Sequence, residues 1–225
     1  MSEVAAQTPA AVLVSGGIDS AVLVADMCGQ RRLVFPVFVR GGLAWEPAEL
    51  VHLRTFLQAI ARPILQPLVL LDQPDGDVYG EHWSITGRDV PHAATPDNAV
   101  FLPGRNLFLI SKTAVWCALN GVHVLALGSL GSNPFSDSTP EFDCELARLV
   151  ERAMGEPFEI IRPLASLTKP DVIRRGAALP LELTFSCIQP VAGVHCGRCN
   201  KCEERRRGFR EAGVVDRTTY AQPPE

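Results

Sequence analysis

Apolar positions along the chain switch between continuous short runs and helical spacing, and the order of these patterns predicts alternating strands and helices. Ala11–Val14 is an apolar run that stops at Ser15-Gly16-Gly17, as a buried strand entering a turn would. From Ser20 the residues Ala21, Val22, Val24, Ala25 and Cys28 form the apolar side of a helix that Gly29 ends. Leu33–Val39 reads as the next strand, and Pro36, which has no N–H for a ladder, favours a sheet edge or a bulge. Pro47 suits a first helical turn; Leu50, Leu53, Phe56, Leu57 and Ile60 then recur at three- and four-residue intervals until Arg62-Pro63. Ile64–Leu71 is a third candidate strand. From Asp72 to Asp97 periodicity fails, which predicts a long loop of a functional or mobile kind.

Order resumes at Arg105–Leu119, where Leu107, Phe108, Ile110, Ala114, Val115 and Ala118 leave little polar surface, as in a helix buried against a sheet; Asn120-Gly121 closes it. Val122–Leu127 is a fourth strand, residues 128–140 a Ser/Gly/Pro loop, Glu141–Met154 an amphipathic helix and Phe158–Ile161 a fifth strand. The alternation predicts an α/β fold, a doubly wound, mainly parallel five-stranded sheet with ligand sites past the carboxyl ends of its strands. At 225 residues the chain is near the upper limit of one core. The expected organisation is therefore an α/β domain over residues 1–183 and a small cysteine-rich subdomain over residues 184–225.

Composition narrows the function classes. With 47% apolar residues the chain has the material for a large core, which excludes a disordered protein. Lys+Arg 21 against Asp+Glu 25 leaves a net charge of -4, so nucleic acid is not an expected partner. No apolar run approaches the roughly 20 residues of a membrane-spanning helix, and Met1–Ala11 lacks a basic segment followed by an apolar one, so a cytoplasmic location is expected. Of seven cysteines, Cys187, Cys196, Cys199 and Cys202 fall within sixteen residues, which a reducing compartment and a metal explain better than disulfides.

Two motifs carry chemistry. Ser15-Gly16-Gly17-Ile18-Asp19-Ser20 lies between a buried strand and a helix start, where glycine amides, the helix N-terminus and the hydroxyls of Ser15 and Ser20 can receive a phosphate. Asp19 is an odd neighbour for an anion unless a divalent cation is shared there. The alternative is a tight glycine turn with a capping side chain. The four cysteines, spaced by eight, two and two residues, can wrap one tetrahedral ion. Zinc is the simplest choice, and an iron–sulfur cluster also accepts four thiolates. Four thiolates close the coordination shell, so the expected role is structural. Arg105 and Asn106, at a helix start after a Pro-Gly turn, can fix a carboxylate, a phosphate or a purine edge. His195 is expected beside the metal or at the solvent, and Arg205-Arg206-Arg207 on a solvated face. Cys28, Cys117 and Cys144 look like core residues.

The Ser15–Ser20 loop resembles the pyrophosphate-binding loop of the N-type ATP pyrophosphatases, which activate a carboxyl or carbonyl oxygen as an adenylate. Together with Leu102-Pro103-Gly104-Arg105-Asn106, Pro163-Leu164, Leu167-Thr168-Lys169, Thr184-Phe185-Ser186-Cys187, His195-Cys196-Gly197-Arg198-Cys199-Asn200-Lys201-Cys202 and Gly208–Gly213, it is similar, from about Val12 to Tyr220, to the 7-cyano-7-deazaguanine synthase family. The resemblance implies an ATP-dependent carbon–nitrogen ligase that uses Mg²⁺ and a structural zinc. It turns 7-carboxy-7-deazaguanine and ammonia into 7-cyano-7-deazaguanine, and is expected to be a homodimer. By that resemblance Ser15, Gly16, Gly17, Asp19 and Ser20 hold ATP, Phe38, Val39 and Gly128 border the nucleotide, and Lys169 reaches its phosphates. Catalytic roles fall to Asp19, Ser20, Arg105 and Lys169, and Arg40, Arg105, Asn106 and Asp137 meet the acceptor.

Departures from the family pattern lie in the acceptor segments. Where the family has Tyr-Gly-Gln-Arg-His, this chain has Arg40-Gly41-Gly42-Leu43-Ala44-Trp45 with Glu49-Leu50 retained. Where it has Asp-x-Ser-Gly-Tyr-Pro-Asp-Cys-Arg-x-Glu-Phe, this chain has Asn133–Phe142, with Asp137, Glu141 and Phe142 kept and Thr139 at the arginine. A missing bidentate cation changes substrate binding by several kcal/mol, and Arg40 is a candidate to restore the charge. The rival readings are an adenylating enzyme that joins a deazaguanine-like carboxylate to another amine, including a protein acceptor, or stops at the amide, and a tRNA-thiolating enzyme. A nucleic-acid-binding module built on the cysteine clasp would be a different class, against which the acidic charge speaks.

Overall fold

The computed structural model describes residues 7–131, 133 and 135–222; Pro134 of the acceptor-loop departure and the first residues read for targeting lie outside these. Among the described residues no helix is long and apolar enough to cross a membrane.

Among the described residues five strands form one all-parallel sheet: β1 (Gln7–Leu13), β2 (Arg32–Arg40), β3 (Val69–Asp72), β4 (Val124–Leu127) and β5 (Glu159–Ile161), in the order β3-β2-β1-β4-β5. The predicted doubly wound α/β sheet is what the chain adopts. β1 is central, and its Ala10, Ala11 and Val12 are fully buried because helices cover both faces, which is why this strand reads as a continuous apolar run.

On one face α1 (Ile18–Gly29), α2 (Glu46–Ala59) and α7 (Lys169–Arg175) pack around Val12, Met27, Phe56 and Ile173. On the other, α5 (Arg105–Leu119) and α6 (Pro140–Met154) pack around Ala11, Ile110, Cys117, Leu125 and Leu146. α5 has the predicted limits but is not sheathed all round, since Leu107, Val115 and Leu119 are exposed. Cys144, on α6, is exposed and not a core residue, in contrast to Cys28 and Cys117.

Pro36 is neither at an edge nor in a bulge, because β2 pairs with β1 on one side and β3 on the other. Val34 N–H donates to Ile64 and Val34 C=O accepts from Gln66, whereas Val37 C=O accepts from Val14, so alternate residues of β2 face alternate neighbours. Pro36 shares Val34's side, and there the neighbouring chain is interrupted between the bridge at Leu65 and the start of β3 at Val69. The missing donor therefore meets a gap in the ladder. The same interruption reduces the predicted strand at Ile64–Leu71 to β3 plus one bridge.

The segment expected to be a long loop is built instead from α3 (Gly76–Tyr79), α4 (Trp83–Thr86) and a 3₁₀ turn at Asp97–Val100. Elements of four residues are shorter than the repeat that reveals a helix. Tyr79, Trp83, Ile85, Val90 and Val100 pack against a third core made of Leu43, Trp45, Leu102, Phe185 and the four clustered cysteines. α8 (Asn200–Ala212) begins at that cluster with Cys199 as its N-cap residue.

Candidate active site

A cleft of about 500 Å³ opens at the carboxyl ends of β1, β2 and β4. The chain leaves β1 through Ser15, Gly16 and Gly17, and α1 starts at Ile18, so the N-terminus of α1 presents unpaired amides at that place. Gly16 has φ +72 and its carbonyl accepts from Phe185, which ties the loop to the segment that leads into the cysteines. Ser20 is nearly buried; its hydroxyl accepts from Ser15 N–H at 3.3 Å and donates to the Gly17 carbonyl at 3.1 Å. It braces the loop from within. Gly128, at the end of β4, stands so close that a Cβ there would lie 3.2 Å from Ser20 N and 3.3 Å from the Asp19 carbonyl carbon.

Asp19 and Lys169 meet across the cleft, with Lys169 Nζ 2.5 Å from Asp19 Oδ2. Lys169 begins α7 after a Thr168/Asp171 capping box, which fixes where its stem leaves the backbone. Burial opposes its charge, but Asp19 and Glu204 outweigh that and raise its pKa, so it is a firm cation. Asp19 Oδ1 is buried without a hydrogen-bond partner. A lone buried carboxylate oxygen beside a phosphate-type loop is a hard ligand, and it fits the cation that the sequence asked for.

Ser15, Asp19, Ser20, Phe38, Val39 and Gly128 all line this cleft, as do Arg105, Asn106, Asp137 and Lys169. Gly16 and Gly17 form the turn behind them. Asp137 spans to the start of α5: its Oδ2 accepts from Asn106 N–H at 3.1 Å, and Asn106 Nδ2 donates to its Oδ1 and its carbonyl, each at 3.2 Å. The pair thus fixes the helix end from which Arg105 projects. Burial pushes the Glu49 carboxyl up to about 8, the nearby Arg105 guanidinium opposing the rise and Glu46 adding to it. Arg40 is not among the lining residues; its guanidinium pairs with Asp72 at 2.6 Å at the neighbouring strand ends.

Sequence reasoning missed several contributors. Thr139, at the family's arginine, caps α6 by accepting from Phe142 N–H at 3.2 Å. A guanidinium reaches the same loop from elsewhere: Arg162 Nη2 donates to Ser138 Oγ and the Leu130 carbonyl, each at 3.3 Å. Lys201, Glu204 and Arg207, one face of α8, also line the cleft. Their signal was a three-residue spacing that starts just before the last cysteine, Cys202, and runs past it. Arg205, expected on a solvated face, is 2% exposed because its guanidinium binds Leu181 O, Thr184 Oγ1, Ser186 Oγ and Thr218 Oγ1.

The sulfurs of Cys187, Cys196, Cys199 and Cys202 lie within 4.8 Å of one another, the closest pairs at 3.8 and 3.9 Å. Four sulfurs about 2.3 Å from a central zinc would be about 3.8 Å apart. Backbone N–H groups of Gln189 and Cys196 point to Cys187 Sγ, and those of Arg198 and Cys199 to Cys196 Sγ, at 3.3–3.4 Å, as suits thiolates. The donor set fits a closed metal site. His195 is neither a fifth member nor at the solvent: it is buried and its Nε2 accepts from Ser186 N–H at 3.1 Å. Burial, then the Arg205 charge, hold it neutral with a pKa of about 3.

The sequence model of the family described as "Queuosine biosynthesis protein QueC" matches residues 9–213. The chain belongs to the QueC family. The 7-cyano-7-deazaguanine synthase of Syntrophobacter fumaroxidans is 33% identical over 95% of this chain and 96% of its own length. That of Methanothrix thermoacetophila is 31% identical over 94% and 98%. Among solved structures, a 4-thiouridine synthetase–RNA complex with bound ATP matches with a TM-score of 0.48 at 15% identity over 91% of this chain and 50% of that one, too distant to carry an argument. This QueC-family chain therefore has relatives that are synthases, and its two sequence motifs meet in one cleft and one clasp.

Proposed function

We propose that this chain is an ATP-dependent carbon–nitrogen ligase that converts 7-carboxy-7-deazaguanine and ammonia into 7-cyano-7-deazaguanine. The observation that carries the reading is the meeting of Asp19 and Lys169 at the α1 N-terminus, with one Asp19 oxygen left unpartnered. The named synthases of the QueC family support the acceptor.

In this reading ATP lies with its adenine near Phe38 and Val39 and its phosphates against the amides of the Ser15–Ser20 turn. Mg²⁺ held by Asp19 would neutralise the phosphates. The acceptor carboxylate, oriented by Arg105 on the end fixed by Asn106 and Asp137, attacks the α-phosphorus; the bond to pyrophosphate breaks and an acyl-adenylate forms. Ammonia displaces AMP to give the amide. The amide oxygen attacks the α-phosphorus of a second ATP, releasing a second pyrophosphate, and loss of AMP together with the two amide N–H protons leaves the nitrile. The chain supplies position and charge: Lys169 faces the negative charge gathering on the leaving pyrophosphate, and no side-chain nucleophile is required. The four thiolates would hold zinc as a structural ion.

Thr139 capping α6 in place of an arginine favours a second reading, in which the activated acid is joined to another amine. Purified protein incubated with ATP, Mg²⁺, 7-carboxy-7-deazaguanine and ammonium, followed by mass spectrometry and pyrophosphate release, separates the two. Nitrile with pyrophosphate is expected; acid-dependent pyrophosphate without amide or nitrile establishes the second reading, and no acid-dependent pyrophosphate overturns both.

A further inference from the structure

We propose that Lys201 is a second cation of the pyrophosphate-binding site, so that the helix clasped by the cysteines is also a wall of the nucleotide site. The inference rests on the nucleotide reading above. Lys201 lies between the ligand-type residues Cys199 and Cys202 on α8, and Glu204 follows one turn later. Glu204 is shared: its Oε1 is 3.5 Å from Lys169 Nζ, and its Oε2 is bonded by Lys201 Nζ. Lys169 in turn holds Asp19. All four side chains line the one cleft.

A surface Lys–Glu pair three residues apart would be solvated and weak. This one is not, because the Glu204 side chain is 19% exposed and its other oxygen is engaged by a different helix. α7 and α8 pack so closely that a Cβ on Gly208 would come 2.9 Å from Lys169 Cγ, so the stem of Lys169 lies against the helix that carries Lys201 and Glu204. A carboxylate facing a phosphate site would repel the ligand if it stood alone. Shared between two ammonium groups, with Asp19 completing a quartet of zero net charge, it holds the cations in place instead. Each ammonium carries three N–H donors. Lys169 directs one in a hydrogen bond to Asp19 and one toward Glu204 in an ion pair at 3.5 Å, and Lys201 uses one, on Glu204. One donor and two donors respectively remain for the oxygens of a leaving pyrophosphate, in a partly desolvated cleft where such contacts are strong.

Titration calorimetry of the zinc-loaded protein with Mg²⁺ and ATP, pyrophosphate or AMP tests this. In K201M, affinity for ATP and for pyrophosphate falls about tenfold, the loss of one charge-assisted contact, while AMP, which lacks the outer phosphates, binds as before. K201R retains most of the affinity. Arg210→Met, which removes the same charge from an exposed position of the same helix, changes none of the three. Pyrophosphate binding by K201M at the wild-type level, an equal loss for AMP, or the same loss in Arg210→Met each overturns the inference. Should K201M lose zinc, K201Q is read by the same criteria. A wild-type protein that binds neither ATP nor pyrophosphate overturns the nucleotide reading itself; one that binds and adenylates while K201M is unaltered overturns only the role of Lys201.

Discussion

Glu49→Gln should change how stability depends on pH, and the size of the change follows from where Glu49 sits. Glu49 is 7% exposed, behind the Gly16 turn, its Cγ 3.1 Å from the place a Cβ on Gly16 would occupy. Burial raises its pKa from 4.5 to about 8, with Arg105 opposing and Glu46 assisting. A carboxyl whose pKa is higher in the folded state keeps its proton there while the unfolded chain has lost it. Stability therefore falls as pH rises between the two values, and is flat on either side. At about 1.4 kcal/mol per unit, the full cost of ionising Glu49 in the fold is on the order of 4–5 kcal/mol. Glutamine has no proton to lose. Urea unfolding of wild type and E49Q at pH 5, 6, 7, 8 and 9, with zinc held constant, should give a difference that grows in favour of E49Q up to about pH 8 and then levels. Thiolate titration is common to both proteins and cancels in that difference. Parallel stability curves from pH 5 to 9 would refute the reasoning and place the Glu49 carboxyl in contact with solvent or a fixed cation.

Other outcomes follow from close packing and from the clasp. Gly128→Ala brings a Cβ within 3.2–3.4 Å of the Asp19–Ser20 backbone, so ATP affinity should drop by an order of magnitude or more, with about 1–3 kcal/mol of stability lost, read by calorimetry and thermal melts. Arg205→Leu strands the polar groups at Leu181, Thr184, Ser186 and Thr218 and should cost about 3–5 kcal/mol in urea unfolding; a cost below about 1 kcal/mol would show the buried guanidinium to be dispensable. Elemental analysis should find one zinc per chain, and its removal with a chelator should lower the melting temperature; Cys199→Ser should behave as the chelated protein does.

The core of the fold and the two motifs were legible because each has a strong local signature. β1 reads as buried on both faces since it is, and the Gly-rich turn and cysteine spacing survive translation into space unchanged. What escaped the sequence depends on partners far along the chain. Pro36 signals a missing donor, but not that the neighbouring strand is broken opposite it. Arg205, Arg206 and Arg207 read as one charged run, whereas a helix turns successive residues by about 100°, sending Arg205 into the core and Arg207 to the cleft. Arg40 offered a charge to a pocket whose loop receives Arg162 instead, through a fold contact with no spacing to betray it. Lys201, set between Cys199 and Cys202, and Glu204, two residues beyond Cys202, were overshadowed by the cysteines beside them.

The third core has a spectroscopic consequence. Trp45 and Trp83 stack with ring centroids 5.7 Å apart within the cluster that contains all four sulfurs, and Trp116 lies apart, beside Phe35 in the opposite core. Two of the three indoles thus report on the clasp and one on the sheet. Loosening the cysteine loop would wet the stacked pair and move their emission to longer wavelength while the third indole stayed dark to the event, so a metal held by the four sulfurs would have a built-in fluorescent gauge of its occupancy, readable without a label.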